Sequence, residues 1–139
     1  MRHKAVMFCA LLATAVAVLV SSGPVLAAHG APSPSATLTV QQVGGNAAGC
    51  QVKLTYSWSG FGVNHVAAHL AINGQFVVLN NQPNDGTASA TFDVPGTDSN
   101  GNPIVYVSLG ELLRSTAGGS HYSPVANSLV YSYNFTCSG

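Results

Sequence analysis

Few side chains in this chain of 139 residues are equipped for chemistry, and their spacing limits what they can do. His65 and His69 form an H-x-x-x-H pair. On a helix that spacing puts two metal ligands on one face. On a strand the two rings also share a face, but about 13 Å apart. Val66, Ala68, Leu70 and Ile72 alternate around and against the two histidines. The strand reading therefore wins, and two solvent-facing histidines are expected. Asp98-Ser99-Asn100-Gly101-Asn102 opens like a calcium loop. It lacks the later bidentate carboxylate and carries one formal charge where such loops need several, so a plain turn is expected. Asp85 sits in an Asn-Asp-Gly turn and Asp93 at an outward position of a strand. No Gly-x-Ser-x-Gly and no strand, Gly-rich loop and helix unit for phosphates is present. Without convergent titratable groups, neither an enzyme nor a bound cofactor is expected.

The cysteines say more. Arg2 and Lys4 precede an apolar run, Ala5 to Val20, interrupted only by Thr14. Ser21 to Pro24 break it, and Val25-Leu26-Ala27 has the small-residue pattern of a cleavage site. The run is shorter than the roughly 20 residues that span a bilayer. Residues 1–27 thus read as an export signal of bacterial kind, with cleavage after Ala27 or Ala28, and Cys9 leaves with it. Cys50 and Cys137 remain, and in an exported chain such a distant pair reads as a disulfide. Their positions agree. Cys50 opens a stretch in which Cys50, Val52, Leu54, Tyr56 and Trp58 alternate with Gln51, Lys53, Thr55, Ser57 and Ser59. Cys137 closes one in which Leu129, Tyr131, Tyr133, Phe135 and Cys137 alternate with Val130, Ser132, Asn134 and Thr136. The first set of each is expected to face inward.

The elements that must carry these residues are all strands. After a Pro-rich leader, 28–36, extended and mobile, strands are expected at 37–43, 50–59, 65–72, 75–80, 87–94, 104–109 and 129–137. Asn73-Gly74 separates the third and fourth by two residues, a hairpin signal because both turn positions need positive φ. Asn80 to Gly86 and Pro95 to Pro103 are loops, and Glu111 to Asn127 is a longer Gly- and Ser-rich connection. About seven short strands without a helix predict one all-β domain, 37–139: an antiparallel two-sheet sandwich, with a small barrel as the rival. The mature chain holds Lys53 and Arg114 against Asp85, Asp93, Asp98 and Glu111, a net charge of −2 with neutral histidines. It has no basic patch for nucleic acid and no second apolar segment for a membrane.

LTYSWSG, Leu54 to Gly60, resembles the tryptophan-bearing second strand of fibronectin type III modules. HLAINGQ, His69 to Gln75, resembles their next strand and its turn, and YSPVANSLVYSY, Tyr122 to Tyr133, is similar to their last strand and its approach. The resemblance implies an immunoglobulin-like sandwich with a binding, adhesion or structural role outside the cell, toward a protein or a glycan. Contacts are expected from loops at the sheet ends, foremost Arg114, His121 and Tyr122 in the Glu111–Asn127 connection, which also reads as an ordinary loop. Asn134-Phe135-Thr136 is a glycosylation acceptor triplet at an outward position. An alternative follows if cleavage exposes His29 as the first residue. Exported immunoglobulin-like copper proteins begin with histidine, and such a site here would pair His29 with His121.

Overall fold

The computed structural model describes residues 30, 32–115 and 121–139. Eight strands and no helix are found among them: β1 (Ser35–Asn46), β2 (Gly49–Ser59), β3 (Val66–Ile72), β4 (Gln75–Gln82), β5 (Gly86–Pro95), β6 (Tyr106–Ser115), β7 (Tyr122–Pro124) and β8 (Val130–Phe135). Strands β1, β2 and β5 form one antiparallel sheet with β2 at its centre. The other has the order β4-β3-β6, and its last position is shared by β7 and β8, which pair with the two halves of β6. Two antiparallel sheets stapled by one disulfide make an all-β sandwich.

The alternation of β2 passes into the fold unchanged. Cys50, Val52, Leu54, Tyr56 and Trp58 are all buried. They meet Val66, Ala68, Leu70, Ile72 and Leu112 of the facing sheet in one core. Burying each larger aliphatic side chain there contributes roughly 1.5–3 kcal/mol. Gly110 makes room for Tyr56, whose ring occupies the place a Cβ at 110 would take. The Tyr56 hydroxyl donates to the carbonyl of Ser128. At the start of β6 the Tyr106 hydroxyl donates back to the Pro95 carbonyl at the end of β5, fixing the corner between the sheets. The β3–β4 turn has the expected backbone, with φ 43° at Asn73 and 91° at Gly74.

The disulfide is present, Cys50 to Cys137, with Cα atoms 5.7 Å apart. It joins the head of β2 to the tail behind β8, and therefore one sheet to the other. Beside it, Gln42 of β1 exchanges two hydrogen bonds with the backbone of Ser138, at 2.9 and 2.8 Å.

Three expectations are corrected. First, β6 runs on to Ser115, so the first five residues of the expected Glu111–Asn127 connection belong to a strand. Tyr122–Pro124 adds a short edge strand within the segment expected as loop. Between β7 and β8 the chain leaves the sheet, and a side chain repairs the ladder. Val125 donates its N–H to the Leu112 carbonyl, and the Leu112 N–H is taken by Ser128 Oγ at 3.0 Å. Ser128 is fully buried and donates onward to the Val125 carbonyl at 2.7 Å. Second, the last strand does not keep one phase. Phe135 and Cys137 point inward as expected, but Leu129, Tyr131 and Tyr133 point to solvent. Ser108 pairs with Ser132 while Tyr106 pairs with Phe135, so β8 holds one residue more than β6 over this span. Asn134, at φ 63°, lies in that bulge. A bulge swaps inside for outside, which simple alternation cannot anticipate. Third, the leader is not free throughout. Backbone of Pro32 to Pro34 lies against Gly60, and Pro34 lines a cleft at that end.

Candidate functional site

The two sheets show solvent different faces. Outward positions of the three-stranded sheet carry Thr37, Thr39, Gln41, Gln51, Lys53, Thr55, Ser57, Thr87, Ser89 and Thr91. Facing hydroxyls bond across strands there, Ser57 to Thr87 at 2.8 Å and Ser35 to Ser59 at 3.0 Å. The five-stranded sheet exposes apolar and aromatic side chains instead. Phe76 of β4 is 67% exposed, Tyr131 47% and Tyr133 62%. Val107, and Leu129 just before β8, are also exposed.

Register gives this face its shape. Phe76 pairs with Ala71, Ala71 with Leu109, and Leu109 with Tyr131. The row thus has an aromatic ring at each margin and two smaller side chains between them. Its margins are three strand spacings apart, about 14 Å. Tyr133, two residues on, lies beside Tyr131 with ring centroids 5.7 Å apart and planes 28° from parallel. The result is a shallow trough along the strands, with Phe76 on one side and a two-tyrosine ledge on the other.

One polar pair stands in the floor. In the next row Val78 pairs with His69 and His69 with Glu111. His69 Nδ1 lies 2.8 Å from Glu111 Oε1, and the side chains are 20% and 15% exposed. The Phe76 ring meets the His69 ring edge to face at 5.7 Å. This corrects the expectation of two like histidines on one strand face: His69 is half-buried and paired, while His65 lies outside β3 in an exposed left-handed position, φ 54°. Further along the same face Ala67 and Leu113 are buried although they point outward. The Tyr122 hydroxyl donates to Asn80 Oδ1 at 2.9 Å, so this side chain spans the sheet from its β7 margin to its β4 margin and closes that end of the trough.

The residues expected to form a binding loop do not gather. Ser115 pairs with Tyr122 and Arg114 with Ser123, so Arg114 and Tyr122 lie on opposite sides of the sheet. Arg114 instead lines a cleft of about 420 Å³ at the end of the sandwich, with Pro34, Phe61, Val63, Pro124 and Val125. His121 is exposed beside β7, and His29, the other half of the copper alternative, lies outside the described residues. So does the export signal. No cluster of three or more His, Cys, Asp or Glu able to hold a metal occurs among the described residues. Asp98 turns its carboxylate onto its own loop, accepting from the N–H groups of Asn100 and Asn102 at 2.8 and 2.9 Å. Those bonds, the Asn102 N–H first, hold its carboxyl below the usual range. Asn134 is exposed, as its acceptor triplet requires.

Simple alternation along the last strand places Tyr131 and Tyr133 in the core, which hides the aromatic trough from a reading of the sequence. The one signal for it was Asn134, a residue that tolerates the left-handed backbone of a bulge. No protein-family model, curated protein or solved structure matches the chain.

Proposed function

We propose that this chain is an exported, non-enzymatic binding module whose ligand lies on the outer face of its five-stranded sheet. One observation carries the reading: most of the exposed large apolar side chains, Phe76, Val107, Leu129, Tyr131 and Tyr133, share one sheet face, while the opposite face is hydroxyl-rich. Contiguous exposed apolar surface marks a place where something binds, and tyrosine suits such a place because its ring is apolar and its tip is not. Strand order supports a fibronectin type III-like module over a constant immunoglobulin type, because β4 pairs with β3 rather than joining the sheet of β5. The disulfide suits an oxidising compartment, and with the signal at 1–27 it supports export.

The test uses the secreted protein immobilised on beads and exposed to extracellular material from its own surroundings. Phe76→Ser/Tyr133→Ser is expected to lose what wild type retains, while Arg114→Ala keeps it. Equal retention by wild type and the face variant, with loss in Arg114→Ala, moves the site to the cleft at the sandwich end. Disulfide mapping of both variants, with urea unfolding, checks that they fold alike.

A further inference from the structure

We infer that the ligand of the trough is an uncharged, linear saccharide lying along the strands between Phe76 and the Tyr131–Tyr133 ledge, an inference that rests on this face being the ligand surface. Three features of the face select that chemistry.

The first is its mixture of groups. A sugar ring is apolar on its C–H faces and polar around its rim. Aromatic rings at both margins of the trough accept C–H faces. The His69–Glu111 pair stands one row along the floor, on the side of Tyr131 away from Tyr133, and uses one nitrogen and one oxygen for its own bond. His69 Nε2 and Glu111 Oε2 are left to exchange hydrogen bonds with sugar hydroxyls. A purely apolar ligand would strip water from these partly exposed atoms and give nothing back.

The second is charge. Outward positions on β3, β4, β6 and β8 carry Glu111 as their one carboxylate, with no lysine or arginine. Arg114 emerges on the other side of the sheet. An acidic polysaccharide or a nucleic acid would meet a carboxylate and no cation. A cationic chain would meet a carboxylate already engaged with His69. An uncharged ligand fits this field best.

The third is size. Three strand spacings by the four residue steps from Leu129 to Tyr133 make a patch on the order of 200 Å² before side-chain overhang. A stable protein partner or second copy needs about 800 Å² on each side. Beyond the trough such a partner would rest on Tyr122 and Asn80, already bonded to one another. A narrow linear ligand needs no more than the trough.

The experiment is affinity electrophoresis of the secreted, oxidised protein in gels containing one polysaccharide each. The probes are hydroxyethylcellulose, xylan, galactomannan, a soluble β-glucan and glycol chitin, with alginate and polygalacturonate as acidic counterparts. Retardation by at least one neutral gel is expected. Phe76→Ala and Tyr133→Ala should each weaken it about tenfold, the usual scale for a lost aromatic contact. Thr55→Ala on the opposite face should leave it unchanged. His69→Gln tests the floor and is expected to weaken binding while the fold, checked by urea unfolding, persists. Retardation by none of the neutral gels, by acidic gels alone, or equally in wild type and both aromatic variants overturns the saccharide assignment. Sedimentation velocity and the bead assay above separate the two levels of failure. Self-association or bead retention that disappears in Phe76→Ser/Tyr133→Ser, without retardation in the gels, keeps the face as a binding surface and replaces the saccharide by a protein. No dependence on the face in any assay overturns both.

Discussion

Replacing Cys50 and Cys137 together by alanine removes the cross-link between the sheets, and the size of the effect follows from where it is anchored. The two residues are 87 apart in sequence. Closing a loop of that length in the unfolded chain corresponds to about 4.6 kcal/mol at 25 °C in the chain-entropy account. A domain of this size has a total stability of about 5–15 kcal/mol, so the open form should lie near the edge of folding. At roughly 0.2 kcal/mol per degree of unfolding entropy, the midpoint temperature should fall by about 20 °C. The assay is urea unfolding followed by fluorescence of Trp58, which is buried and donates its indole N–H to the Pro83 carbonyl at 3.1 Å. Oxidised wild type, reduced wild type and the double variant are compared. The last two should agree within about 1 kcal/mol, because packing around two small buried sulfurs is the only other thing that changes. A gap between oxidised and reduced wild type below about 1 kcal/mol would refute the reasoning, since the staple would then add little to what strand pairing and the core already supply.

Other expected outcomes follow from single atoms. Ser128→Ala leaves the buried Leu112 N–H without its acceptor and should cost about 1–3 kcal/mol in urea unfolding, with faster exchange of that amide. Ser108 Oγ is buried with no hydrogen-bond partner. Ser108→Ala should therefore stabilise the fold by about 1 kcal/mol, and a loss of stability would show an interaction the geometry does not contain. Burial, with the Glu111 charge adding to it, pushes the Tyr56 hydroxyl from 10.0 up to about 12. The folded state holds this proton more tightly than the unfolded chain. Its contribution is thus complete below about pH 10 and is lost as pH rises through about 12, at about 1.4 kcal/mol per unit. Tyr56→Phe should be less stable near pH 8, through loss of the bond to Ser128, and should show a flatter decline between pH 10 and 12.

What could be read from the sequence was what depends on local pattern. β2 and β5 alternate without a break, so their buried sets, including Phe92 and Val94, are visible as every second residue. The cysteine pair and the Asn73-Gly74 turn were legible because each rests on a local chemical demand. β6 was read short because Gly110 and Glu111 look like the start of a loop. Gly110 is in fact a strand residue whose missing side chain admits Tyr56, and Glu111 is held by His69 of the neighbouring strand. Neither reason lies within the segment itself. Tyr131 and Tyr133 failed for a related cause: hydrophobicity names a side chain as apolar but does not say which side of a sheet it takes once a bulge has intervened. The expected gathering of Arg114 and Tyr122 on one loop is not found, because β6 runs on and the two become cross-strand neighbours on opposite faces.

The left-handed residue at 134 makes the identity of the exposed surface a matter of counting. Removing one residue there would force a choice between keeping the sulfur bridge aligned and keeping the tyrosines in water. If the bridge prevails, both rings turn toward the core, and the molecule becomes a plainer sandwich with nothing to offer on that side. Deletion or reinsertion of a single codon would thus hide or expose both rings without altering either of them.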